Sequence, residues 1–125
     1  MISIDKAKQL KELGLQWNPK CGDWYKTDYW PTPTLLTADT TRMDNKEINS
    51  RFERINKDDN TVWLPRLDQL LDEIEKYNYV YSLIKVGGLG KYNMIIKLQG
   101  SGSSSQFYHS IREDAFADAL IWILA

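Results

Sequence analysis

From Ala115 to Ala125 the chain has one polar side chain, Asp118, and the final seven residues have none. Ser110 with Glu113 reads as a capping box that opens a helix here, running to the end of the chain. A helix on the surface of a monomer keeps a polar face, whereas one apolar all round has to be covered on every side. Phe116, Ala119, Leu120 and Ile123 already supply an inward stripe at i, i+3, i+4 and i+7, so Ile121, Trp122 and Leu124 need a second surface. Either the helix lies between a sheet and another helix, or it meets a second subunit. The expected state is a homo-oligomer, a dimer built in part on this helix and on Trp122.

The other elements follow from period and punctuation. Ser3 caps a first helix with Ile4, Ala7, Leu10 and Leu13 on one stripe, and Gly14 with Leu15 makes a Schellman-type stop. Leu15 to Trp17 and Asp23 to Thr27 flank the turn-forming Asn18-Pro19-Lys20-Cys21-Gly22 and are expected to form a hairpin. Pro65 opens a helix in which Leu67, Leu70, Leu71, Ile74 and Tyr77 keep the 3.6-residue period. Tyr79 to Val86 and Lys91 to Gln99 form a longer hairpin around Gly87-Gly88-Leu89-Gly90. A flexible loop, Gly100 to Ser105, leads to a short strand, Gln106 to His109. The segment 39–60 is polar and admits two readings. Asp44 with Glu47 can open a helix carrying Ile48, Phe52 and Ile55, or Lys57-Asp58-Asp59-Asn60 can turn a hairpin into Thr61-Val62-Trp63; the hairpin, after a mobile loop, is the expectation. The fold class is α+β, an antiparallel sheet of hairpins packed with about three helices, in a single domain over 1–125.

Composition narrows the function. With 16 basic and 17 acidic residues, no long-range field draws the molecule to nucleic acid or an anionic membrane, so an anion site must be local. Cys21 is the only cysteine, which excludes an intramolecular disulfide and a zinc site with two thiolates. No run approaches the ~18 apolar residues of a membrane span, and Met1 to Lys6 lacks the basic start and apolar run of a signal peptide. The expected location is the cytoplasm.

Catalytic and metal chemistry find little support. "GGLGK" ending at Lys91 lacks the earlier glycine, the following hydroxyl residue and the helix of a phosphate loop, and reads as a hairpin turn. Cys21 and His109 would form a nucleophile and base only if the fold brought them together. With one His and one Cys a metal site would lean on carboxylates, which suits calcium or magnesium more than zinc, but no calcium-loop spacing is present and no cofactor is expected. The expectation is a protein that is not an enzyme.

One charge pattern resists a bland explanation. Between Glu75 and Glu113 there is no acidic residue, while Lys76, Lys85, Lys91, Lys97 and Arg112 are basic. Tyr92, Met94, Ile96 and Leu98 alternate onto one face of their strand, so Lys91, Asn93, Lys97 and Gln99 share the other. If the partner strand adds Tyr79, Tyr81 and Lys85 to that polar face, with Val80, Ile84 and Val86 inward, the hairpin offers tyrosines to stack a base and lysines to neutralise phosphate. The candidate ligand-binding set is Lys85, Lys91, Lys97, Tyr79, Tyr81 and Asn93. The alternative is an edge hairpin kept soluble by its lysines. Trp17, Trp24 and Trp30 beside Tyr25 and Tyr29 form a second aromatic concentration, expected to be mostly core, with a patch open to a partner or ligand as the other reading.

"AKQLKELGLQW" near the start, "WLPRLDQLLDEI" at 63–74 and "EDAFADALIWIL" at the end resemble a type of small, uncharacterised phage and prophage protein with a phage-type α-β-α sandwich domain. That resemblance implies a mobile-element accessory protein, a class that includes inhibitors of host defence and proteins that sequester nucleotide signals. It assigns no catalytic or binding residue. The functional expectation is therefore a non-enzymatic binder of a host protein or a small anionic nucleotide. The alternatives are a single-stranded nucleic-acid module using the hairpin 79–99 and an unrecognised hydrolase or transferase.

Overall fold

A computed structural model of the chain describes residues 1–37, 43–86, 90–100 and 102–125. Among these the order is α1 (Ile4–Glu12), β1 (Trp24–Thr27), β2 (Thr34–Leu35), α2 (Asn45–Lys57), β3 (Thr61–Leu64), α3 (Leu67–Glu75), β4 (Tyr79–Val86), β5 (Lys91–Leu98), β6 (Ser104–His109) and α4 (Arg112–Leu124). The strands make two antiparallel three-stranded sheets, β2-β1-β3 and β4-β5-β6, so the class is α+β.

α4 occupies the centre. It packs on α1 and α3 on one side and on β5 and β6 on the other. Ala115, Phe116, Ala117, Ala119 and Leu120 are buried in a cluster with Leu10 of α1, Val62 and Leu64 of β3, Leu70 and Ile74 of α3, and Met94 and Ile96 of β5. The cover that its apolar surface requires comes from within the chain, since Ile121, Ile123 and Leu124 join the same cluster. Only Trp122 stays half exposed, at 49%, with its ring against Tyr79 and Phe107.

The first sheet is covered on both faces. Trp24, Val62 and Leu64 turn to the main cluster, while Tyr25 and Trp63 turn to a second one built on Trp17, Leu36 and Phe52. Phe52 comes from α2, which corrects the expected hairpin. Asp44 caps α2 by accepting from the Glu47 N–H (2.8 Å), and Ile48, Phe52 and Ile55 form its inward stripe. The charges that made the segment look like a loop occupy its solvent side; residues 39–42, expected to be mobile, lie outside the described set.

Three local expectations are also corrected. Leu15 to Trp17 is not a strand: Trp17 is buried in irregular chain, and β1 pairs instead with β2 and β3. Ser110 does not cap α4, whose N-cap is Ile111, because His109 takes the bend by accepting the Ile111 N–H on Nδ1 (3.2 Å). Ser104 and Ser105 extend β6 backward rather than lying in a loop. The first helix ends as the sequence predicts: Gly14 has φ +94°, the Leu15 N–H donates to the Leu10 carbonyl, and the Gly14 N–H to that of Lys11 (both 3.0 Å).

Candidate functional site

The second sheet has α4 on one face and, among the described residues, no element packed on the other. Register decides which side chains stand where, since directly opposed residues of an antiparallel pair share a face. Tyr81 is opposite Ile96, Leu83 opposite Met94 and Phe107 opposite Met94, so these project toward α4. Val80 is opposite Lys97, Ile84 opposite Asn93, and Asn93 opposite Tyr108. These lie on the face turned away from α4, together with Ser82, Val86, Lys91, Ile95, Ser104 and Gln106.

The six candidate residues therefore divide. Lys91, Asn93 and Lys97 lie on the open face as expected. Tyr79, Tyr81 and Lys85 lie on the helix-bearing face, a correction to their expected placement. Tyr81 sets its ring edge-on to Phe116 (6.0 Å between centroids, 88°), and Tyr79 packs against Trp122 (6.1 Å, 78°). The Tyr81 hydroxyl donates to Glu75 Oε1 (3.4 Å); burial first, and that carboxylate second, hold the phenol above its ordinary value of 10.0.

What the open face gains in place of tyrosines is aliphatic. Val80 is 51% exposed and Ile84 50%, both on the outermost strand. Lys91 and Lys97 stand near the two ends of the central strand, about 20 Å apart at the rise of a strand, and neither has an ion-pair or hydrogen-bond partner among the described residues. Tyr108 (56% exposed) and Gln106 complete the third column, where the Tyr108 hydroxyl and Asn93 Nδ2 both donate to Gln106 Oε1 (2.8 and 3.3 Å). Asn93 is only 8% exposed between Ile84 and Tyr108, and its Oδ1 accepts no hydrogen bond among the described residues. Val80, Ile84, Gln106 and Tyr108 were not singled out from the sequence. The parity of the connection between Val86 and Lys91 was the signal that would have found the first two.

The remaining candidates resolve into structure. His109 has both nitrogens engaged, Nδ1 by the Ile111 N–H and Nε2 3.7 Å from Asp114 Oδ2. Cys21 sits in an exposed turn beside the first sheet, so the two do not form a pair. No cluster of three metal-ligating side chains occurs among the described residues. Trp17 stacks on Trp63 (6.3 Å, 5°) inside the second cluster, and the aromatic surface at this end is reduced to Tyr29 and Trp30.

A cleft of about 240 Å³ between α1 and β3 is lined by Lys11, Gln16, Trp17, Asn56 and Trp63. Its lysine is already committed, because Lys11 Nζ donates to the carbonyls of Asp58, Asp59 and Thr61 (3.2, 3.4 and 2.5 Å). That amine closes the end of α2 and is not free to hold an anion. No helix among the described residues is long and apolar enough to cross a membrane. Comparison with family models, with curated proteins and with solved structures finds no match.

Proposed function

We propose that the chain is a non-enzymatic binding protein that holds an acidic, aliphatic protein segment against the open face of its second sheet. The composition of that face carries the reading: half-exposed Val80 and Ile84, Lys91 and Lys97 with no ion-pair partner among the described residues, and no carboxylate. Aliphatic side chains grouped on an exposed strand favour burial against a partner, and lysines select one of opposite charge. A nucleic-acid strand asks for several flat rings, and this face offers one, Tyr108. A sequestered mononucleotide asks for a concave site, and the groove that reaches Val80 is lined by Glu75, Asn78, Tyr79, Tyr81 and Gln99, with a carboxylate and no lysine. The likeness of three helices to small phage and prophage proteins supports a mobile-element setting, with a host defence protein as the partner.

Fluorescence anisotropy tests the reading with a synthetic peptide alternating glutamate and valine, beside a single-stranded thymidine oligonucleotide. The peptide should bind, and Lys91→Glu with Lys97→Glu should weaken it about tenfold, as two exposed ion pairs of under ~1 kcal/mol each imply. Lys46→Glu on α2 should leave the affinity unchanged. Tighter binding of the oligonucleotide, or no response to the double variant, contradicts the proposal.

A further inference from the structure

β4 is eight residues long and pairs with β5 on one side only among the described residues. Just before it, the Gln99 N–H donates to the Asn78 carbonyl (2.9 Å). Bonded and non-bonded pairs alternate along an antiparallel ladder, so Val80, Ser82, Ile84 and Val86 direct their main-chain groups to β5. Tyr79, Tyr81, Leu83 and Lys85 direct theirs outward, a row of donors and acceptors with no main-chain partner among the described residues. Proteins blunt such edges with proline, bulges or several charges. β4 has an unbroken register, no proline and one charge, Lys85. The opposite edge, β6, differs in carrying Ser104, Ser105 and Gln106.

We propose that β4 pairs with β4 of a second copy about a two-fold axis at Ser82, joining two three-stranded sheets into one of six strands. The register follows from the strand itself. Only outward-facing residues can bond across the seam, so odd positions must meet odd positions. Placing Ser82 opposite Ser82 alone pairs all four, Tyr79 with Lys85 and Tyr81 with Leu83 in both directions, for about eight main-chain hydrogen bonds. Chemistry agrees with that count. On the open face Val80 meets Ile84, which puts the half-exposed aliphatics side by side at the middle of the joined sheet.

On the other face Lys85 lies across from Tyr79 of the second copy and never across from itself. Lys85 has no ion-pair partner in its own chain among the described residues. The carboxylate waiting at that end is Glu75, already at the Tyr81 hydroxyl, in an open groove of about 520 Å³ beside Asn78, Tyr79, Val80 and Gln99. Pairing also enlarges the binding surface. One open face has a footprint of about 350 Å² from strand spacing and rise, while a standard interface takes about 800 Å² from each partner. Two joined faces approach that value.

Crosslinking tests the register in a Cys21→Ser background, which leaves no other thiol. Opposed non-bonded residues have Cα atoms about 4.5 Å apart, within disulfide reach. Ser82→Cys should therefore form a disulfide dimer under mild oxidation, and Ile84→Cys, four residues out of register with its own copy, should not. Light scattering on the wild type should give the mass of two chains rather than 14.6 kDa. Lys85→Pro removes only an outward N–H and should return the mass to one chain with circular dichroism unchanged. A monomeric wild type, equal crosslinking at both positions, or a dimer that survives Lys85→Pro overturns the proposal.

Discussion

Asp23 shows how much a single buried carboxylate organises here. Its Oδ2 accepts from the Trp17 indole N–H (2.9 Å) and the Lys20 N–H (3.0 Å), while Oδ1 accepts from Gln69 Nε2 (2.8 Å) with Arg66 Nη1 at 3.4 Å. One side chain thus ties the turn before β1 to the start of α3. Asp23→Ala strands the indole and main-chain donors in a buried site and should cost about 3 kcal/mol in denaturant unfolding. Nothing in the sequence marks Asp23, because its partners lie in separate segments. Tyr81 makes a second residue-scale prediction. Its phenol is held above the ordinary value of 10.0, so the folded state favours the neutral form. That contribution is complete below the unfolded value and is lost as pH rises through the folded one. Titration followed at 295 nm, with Tyr81→Phe as the difference, should assign to Tyr81 an ionisation above the ordinary value.

Elements were legible where local chemistry settles them and obscure where tertiary pairing does. The end of α1 was readable because a left-handed glycine and the residue after it are local signals; Gly14→Ala meets no neighbouring atom within 4 Å, so its cost of about 1 kcal/mol in thermal unfolding should be purely conformational. α2 ranks below the hairpin in the sequence because its apolar stripe is narrow and its charges are those of a loop, and the second cluster that holds Phe52 cannot be seen from the segment alone. The face of β4 was misread for a different reason. Side-chain hydrophobicity placed Val80 and Ile84 inward, but the pairing of Val86 with Lys91 sets the parity of the whole strand and turns Tyr79, Tyr81 and Leu83 inward instead. The tyrosines satisfy that position by packing edge-on against α4.

At the scale of the molecule, the all-round apolar C-terminal helix was the most informative stretch, and the structure meets its demand by placing α4 between the second sheet and α1 with α3. That arrangement consumes one face of the sheet and leaves the other without a covering element among the described residues. The acid-free run between Glu75 and Glu113 was visible in the sequence and does mark this face, through Lys91, Asn93 and Lys97. Its aliphatic half was not visible, because that half depends on register. The proposed function makes the open face the working surface of the protein. The most direct measurement is the map of backbone amide shifts on titration with the glutamate–valine peptide. Shifts should concentrate at Val80, Ile84, Asn93, Gln106 and Tyr108, whereas a map centred on Lys11, Gln16 and Asn56 beside α1 would place the binding site in the cleft and contradict the account.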